Sequence, residues 1–322
     1  MTPMMRTKMR AALSLLTSRL LGSRIPLFVG WQLTARCNLR CSYCNIWENP
    51  GELSTDEILK GIDQLRDLGT AIIAFTGGEP LLRDDIPEIL ERTYRRGILS
   101  RLHTNGYYLP KIVKHLHKLH AVVLSLDGPR EVHDAIRGKG SYDRVVEAAE
   151  LAKGVGVKVL LTAVLSSGNV DSVDALVKEA EMLGARMTFQ PVIQKNEEWM
   201  SVDHLRPGEQ DYRQAFKRIM WHKERGAPVG NSMASLRAFL GKKMDGASAL
   251  GRVYINISYD GRVYASSSQV GDAAPNLRDT PLEDIIPHLK LPAEQPHCTL
   301  AAEMNSLYNL DPRSVLNAAF HL

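Results

Sequence analysis

The amino-acid sequence predicts an α/β chain: a partial (β/α)6 barrel with a small α+β appendage at its C-terminal end. Three observations carry this. Six short apolar runs alternate with longer segments of helical periodicity, which is the pattern of a parallel sheet covered by helices. Glycine and small polar residues punctuate the C-terminal ends of the runs, the edge at which such barrels do chemistry. Past Pro207 the alternation stops, and an Asp-Gly turn between two alternating runs marks a hairpin.

The elements follow in order. The first strand, 27–33, leads into a cysteine loop. Ser54-Thr55-Asp56-Glu57 has the form of a capping box and opens a helix to about Leu68. The strand 71–75 ends in Gly77-Gly78-Glu79-Pro80, and a helix over 84–96 follows. The strand 99–103 ends in Thr104-Asn105-Gly106, and a helix near 111–118 leads to the strand 121–126, which ends in Asp127-Gly128. Helices over 142–154 and 170–183 precede the strands 157–165 and 187–190, and Gln190 is placed to face the pocket. Six units are fewer than the eight of a closed TIM barrel, so the barrel is TIM-like and open at the side. Such a mouth admits, without requiring, a substrate larger than a metabolite. A helix over 209–225 and a Gly/Ser/Ala-rich link precede the hairpin, whose strands 253–258 and 262–266 flank Tyr259-Asp260-Gly261. Thr280-Pro281 starts a short helix with Pro at its first position. The expected organisation is an N-terminal segment 1–26, a barrel 27–229 and an appendage 230–322.

Composition narrows the class. At 44% hydrophobic and 24% charged residues, the chain of 322 residues is neither disordered nor collagen-like. No apolar run reaches the ~18 residues of a membrane span. Residues 1–30 carry Arg6, Lys8, Arg10, Arg19 and Arg24 and no acid, a charge of +5; against +4 overall, this leaves −1 on the remainder. A near-neutral body implies no general basic face and no nucleic-acid partner. Met9, Leu13, Leu16, Leu20 and Leu21 fall near helical spacing among these arginines. The segment reads either as a basic amphipathic helix on an anionic membrane surface, through residues 1–24, or as a helix packed on the body.

Cys37, Cys41 and Cys44 lie within eight residues, and Cys298 stands far downstream. A tight triplet of thiols marks a metal or cluster site in a reducing compartment, not a secreted disulfide framework. Structural zinc would need a fourth protein ligand, a histidine or Cys298. A [4Fe–4S] cluster takes one thiolate per iron, so three cysteines leave a corner free to bind a substrate or cofactor.

The spacing C-x3-C-x2-C resembles the signature of the radical S-adenosylmethionine (SAM) superfamily. Gly77-Gly78-Glu79-Pro80 after the second strand is similar to its GGEP motif. Thr104-Asn105-Gly106, Ser125-Leu126-Asp127-Gly128, His133-Asp134, Arg137-Gly138 and Ser141-Tyr142-Asp143 resemble the subgroup that contains the molybdenum-cofactor cyclase and the haem and peptide-modifying enzymes. The likeness runs from about Trp31 to Pro191. It implies that Cys37, Cys41 and Cys44 hold one [4Fe–4S] cluster whose free iron chelates SAM. The reduced cluster then cleaves SAM, and the resulting 5′-deoxyadenosyl radical abstracts hydrogen from a substrate. By the same resemblance Tyr43 contacts the adenine, Gly77, Gly78 and Glu79 take the methionine amino group, and Ser125 takes the ribose. Thr104 and Arg137 are further SAM contacts, with rival structural roles: Thr104 as a cap, and Arg137 as the i, i+3 partner of Asp134. A cytoplasmic setting and a reducing partner such as flavodoxin or ferredoxin are also implied.

The hairpin, with Asn276-Leu277-Arg278 and the helix after Pro281, resembles a SPASM or twitch domain. Such domains hold auxiliary clusters through further cysteines, yet Ala265-Ser266-Ser267-Ser268 stands where one is expected, and Cys298 alone remains near the end. One thiol holds no cluster. The expected function is a radical SAM enzyme acting on a small organic biosynthetic substrate, lipid-like or membrane-held. The alternatives are a maturase of a peptide or protein, and a non-catalytic iron–sulfur or zinc scaffold.

Overall fold

The computed structural model describes residues 3–44, 51–192, 203–240, 247–266, 269, 273–292 and 299–311. Helix α1 (Pro3–Leu21) precedes β1 (Phe28–Thr34), α2 (Thr55–Asp67), β2 (Ile72–Gly77), α3 (Ile86–Arg95), β3 (Leu99–Thr104) and β4 (Ala121–Ser125). Then come α4 (Arg130–Arg137), α5 (Ser141–Gly154), β5 (Lys158–Leu165), α6 (Val173–Met182), β6 (Arg186–Pro191), α7 (Glu209–Glu224) and α8 (Met233–Phe239). The chain closes with β7 (Tyr254–Ile257), β8 (Val263–Tyr264), α9 (Leu282–Ile285) and α10 (Thr299–Tyr308).

The six predicted βα units are present as a partial barrel. Strands β1 to β6 are parallel and lie in sequence order. One face of each strand, such as Trp31 and Leu33 or Leu102, is sealed under the helices, while the alternate residues face the lumen. The capping box at the start of α2 is complete: Ser54 Oγ accepts from the Glu57 N–H, and Glu57 accepts from the Ser54 N–H. The segment expected as a helix near 111–118 is instead a 3-10 helix, Leu109–Lys118, broken by a kink at Ile112, whose φ −112 and ψ 15 are not helical.

The hairpin lies against the barrel. Strand β7 pairs in parallel with β1, from Phe28 with Tyr254 to Trp31 with Ile257, and β8 pairs antiparallel with β7. The sheet thus runs β6-β5-β4-β3-β2-β1-β7-β8. The far edge is covered as well. Val229 bridges Met187, and Asn231 takes both the N–H and the carbonyl of Phe189 through its side chain. Helix α10 packs on α8 and β6 and, with Leu27, Val253 and Tyr254, builds a second small core.

Helix α1 turns its polar side inward. Thr7 donates to the Gly97 carbonyl, Arg10 to the Thr70 carbonyl, and Tyr308 to the Ser18 carbonyl. Met5, Met9, Leu13, Leu16, Leu20 and Leu21 all face solvent, Leu20 at 77% exposure. The helix therefore packs on the body and still presents an apolar stripe outward. No described helix is long and apolar enough to cross a membrane.

Candidate active site

The site forms where the loops after β1 to β4 converge. Gly77 and Gly78 are required by the approach of β2 to the cysteine loop. The Gly78 N–H donates to the Thr34 carbonyl and the Glu79 N–H to the Arg36 carbonyl, both at 2.8 Å. A Cβ on Gly78 would stand 2.1 Å from the Arg36 oxygen, and one on Gly77 2.3 Å from the Thr34 oxygen. Gly77 also has φ +143, a region L side chains rarely adopt. These glycines clamp the backbone one residue before Cys37.

Glu79 is fully buried. Its carboxylate accepts from Thr104 Oγ1 at 2.8 Å, the Leu81 N–H at 3.0 Å and the Asn105 N–H at 2.8 Å. Burial pushes its pKa up to about 7, against the pull of the Asn105 and Leu81 N–H groups. Thr104 is fully engaged, since its Oγ1 also accepts from the Gly106 N–H. It acts on Glu79 and on its own turn. Asn105 reaches the cysteine loop through Asn38, 2.8 Å away.

A second buried pair lies beside the thiols. Arg137 Nε donates to Asp127 Oδ2 at 2.6 Å, its second amino group meets the Tyr43 hydroxyl, and Tyr43 donates to the same Asp127 oxygen at 2.7 Å. The i, i+3 pair of Arg137 with Asp134, the rival structural role for Arg137, does not form. Asp134 accepts instead from the Gly140 and Tyr142 N–H groups and from Ser141, fixing the start of α5. Burial works against the Arg137 charge, but Asp127 and Tyr43 raise its pKa above the ordinary value. Burial pushes the Tyr43 hydroxyl well up, although Arg137 pulls it down. Asp127 also receives the Val164 N–H, and its own N–H donates to His133 Nδ1.

The three cysteines are free thiols: Cys41 is buried, and Cys37 and Cys44 are half-buried. Burial raises the Cys41 pKa to about 11, opposed by Arg137, whose guanidinium lies 3.8 Å from the sulfur. Burial raises Cys37 too, and Cys44 acts on both. Three mutually interacting thiols beside a guanidinium fit a cluster whose thiolates bind separate irons. Among the described residues, no three His, Cys, Asp or Glu side chains converge as the ligands of a single ion would. Ser125 ends β4 on the side that faces the lumen, and its hydroxyl meets no partner among the described residues. Gln190 lines the lumen and accepts from the Thr299 N–H. Cys298, Ser267 and Ser268 lie outside the described residues.

Sequence reading missed two parts of this site. Asp127 was visible only as part of a motif, because its partner lies ten residues on. Asn105 was likewise visible only as part of the Thr104-Asn105-Gly106 motif, although it ties β3 to the cysteine loop.

A thiol triplet on the first loop of a parallel barrel, with a buried carboxylate across the second and third strand ends, defines an iron–sulfur enzyme of the radical-forming class. The chain matches the family described as the radical SAM superfamily over residues 31–180. It is 30% identical to the mycofactocin maturase MftC of Mycolicibacterium smegmatis, over 84% of this chain and 72% of that protein. The PqqA peptide cyclase of Granulibacter bethesdensis is 28% identical over 79% of this chain and 72% of its own length. The Fe-coproporphyrin III synthase of Methanosarcina barkeri is 36% identical, but over 46% of this chain and only 39% of the synthase. Among solved structures, Streptococcus suis SuiB bound to S-adenosylmethionine superposes with a TM-score of 0.68 at 18% identity, covering 81% of this chain and 65% of that one. The chain belongs to the radical SAM superfamily and is an enzyme. That family works with a [4Fe–4S] cluster and SAM, which together supply a carbon-centred radical able to take hydrogen from an unactivated carbon.

Proposed function

We propose that this enzyme modifies a peptide or protein, with Cys37, Cys41 and Cys44 holding the cluster. The sequence alone favoured a small organic substrate. The observation that carries the change is the extent of the matches. The relatives matched along most of the chain are a maturase and a peptide cyclase, whereas the haem-pathway relatives match about half of it. In this reading the loops after β2, β3 and β4 surround SAM. Gly77, Gly78 and Thr104 act by fixing Glu79 and the cysteine loop. Glu79 takes the methionine amino group on the lone pair its chain partners leave uncommitted. Tyr43 and Arg137 border the cluster, and the Ser125 hydroxyl is available to the ribose. Electrons come from a flavodoxin- or ferredoxin-type partner.

The test uses perdeuterated cell extract, separated by dialysis and given to the reduced enzyme with SAM. Deuterium should enter 5′-deoxyadenosine from the retained, protease-sensitive fraction. Transfer only from the dialysable fraction would return the reading to a small substrate.

The outward apolar stripe of α1 favours one addition: the enzyme rests on an anionic lipid surface through residues 1–24. The apolar stripe supplies insertion, and the segment's net positive charge adds long-range attraction, although Arg10 and Arg24 are held on carbonyls of the body. Full-length protein should sediment with anionic vesicles at low salt, and protein lacking residues 1–24 should stay in solution. Sedimentation of neither makes the helix purely structural.

A further inference from the structure

Below the strand ends the barrel lumen holds a cavity of about 200 Å³, walled by Arg101 and His103 of β3, Lys158 and Thr162 of β5 and Arg186 of β6. Helix α10 closes it with Glu303 and apolar side chains. Nothing in the SAM-facing machinery uses this space.

Arg101 is the anomaly. Arg137 has Asp127 and Arg83 has Asp85 as counterions, and Arg186 of the same lumen donates to the Val229 carbonyl. Arg101 has no hydrogen bond or ion pair among the described residues, and its Nε is sealed from solvent without a partner. Burial alone acts on its charge, downward, with no carboxylate to offset it. The acid of the cavity is committed elsewhere. Glu303 accepts from the Ser232 N–H and from Ser235 Oγ at the start of α8, and it feels Lys223, not Arg101. His103 stands next inward on the same strand, and burial together with Arg101 pushes it down to about 4, so it is neutral and adds no negative charge. Lys158 and Arg186 add further positive potential to the same walls.

A guanidinium drawn largely out of water in a cavity without a counterion is costly unless a ligand brings one. The planar fork of arginine matches a carboxylate with two parallel hydrogen bonds. The cavity has room for the end of a ligand, not for a folded peptide. Arg101 sits three residues before the end of β3, ~10 Å below it at the usual strand rise. The cavity reaches from the first residues of β1, β2, β5 and β6 up to His103, Thr162 and Gln190 in the lumen.

We propose that Arg101 anchors a carboxylate-binding subsite in the barrel lumen, which grips an acidic end or side chain of the substrate. The proposal rests on the peptide reading for its biological ligand, but its test does not. Reconstituted full-length protein is titrated calorimetrically with four probes: N-acetylglycine, N-acetylaspartate N-methylamide, neutral N-acetylglycinamide and inorganic phosphate. Both carboxylates should bind and the neutral amide should not. The tighter of the two assigns the source, the chain terminus or an acidic side chain. Arg101→Gln should weaken carboxylate binding about tenfold or more, the loss of a charge-assisted pair, and Arg101→Lys by less. Without probe, Arg101→Gln should melt no lower than wild type, because the charge it removes has no partner in the chain. The proposal is overturned if neither carboxylate binds, if Arg101→Gln binds them equally, or if phosphate binds tighter than both. Failure of Arg101→Gln to fold overturns it too, since that reveals an internal partner. A negative peptide assay leaves these binding results standing, and the reverse also holds.

Discussion

Gly78→Ala separates two explanations of the glycine pair. If the glycines only let a cofactor come close, adding a methyl group leaves the cofactor-free protein as stable as before and weakens SAM binding alone. The structure requires more. The new Cβ meets the Arg36 oxygen at 2.1 Å, its carbon at 2.6 Å and the Ala35 oxygen at 2.7 Å, all of them backbone. The loop must move away, and with it go the bonds from Gly78 to Thr34 and from Glu79 to Arg36. Each such bond contributes ~1 kcal/mol net, and overpacking costs ~1–3 kcal/mol, so the loss should be about 3–5 kcal/mol. Urea unfolding of the iron-free protein measures it, with an unchanged m-value. Because Cys37 follows Arg36 directly, iron incorporation on anaerobic reconstitution should fall as well. Wild-type unfolding free energy together with full iron content in Gly78→Ala would refute the clamp and restore the approach argument.

Asp127→Asn leaves the Arg137 charge buried beside Tyr43 and Cys41, and should cost ~3–5 kcal/mol in the same unfolding measurement; a loss under ~1 kcal/mol would show that the pair is not structural. His133 is wholly buried, and burial followed by Arg137 pushes it down to about 4. The unfolded chain therefore binds the extra proton between about pH 6.5 and 4, and stability falls with pH across that window, by about 2 kcal/mol from pH 7 to 5 for this residue. His133→Gln should flatten that slope; an unchanged slope rejects the assignment. Reconstituted protein should hold about four irons per chain, one cluster. Iron should be retained in Cys298→Ser and lost when Cys37, Cys41 and Cys44 are all replaced by Ala; iron surviving the triple replacement would mean a second cluster site.

The barrel strands were legible because a buried parallel strand is apolar throughout, and β2, β4 and β5 read so without their neighbours. The α2 capping box was legible because it is local. The docking of the hairpin was not, because nothing in Tyr254 to Ile257 specifies that its partner is β1. Helix α8 was hidden in a stretch of small residues that looked like a link, and α10 lies in a segment with no sharp helical pattern. In α1 the helical spacing of the leucines was read correctly, but which side faces the body depended on Thr7, Arg10 and Ser18 finding carbonyl and hydroxyl partners far along the chain. The cysteine and GGEP motifs located the site. The division of labour inside it was not visible, since Glu79, Thr104 and Arg137 take their partners from loops brought together only by the sheet.

The pairing of β1 with β7 imposes an order on biosynthesis. Phe28 to Trp31 leave the ribosome early, while Tyr254 to Ile257 appear only after the six barrel strands have been made. Until then the first strand displays an unpaired hydrogen-bonding rim, of the kind that recruits foreign strands. At ~5–20 residues per second, the interval lasts on the order of ten seconds or more. Closure also demands a contact of very long sequence separation, which slows folding. The nascent enzyme is thus a client for holding factors during that interval, and stalling or truncation before residue 254 should leave a sticky half-barrel and not a functional core.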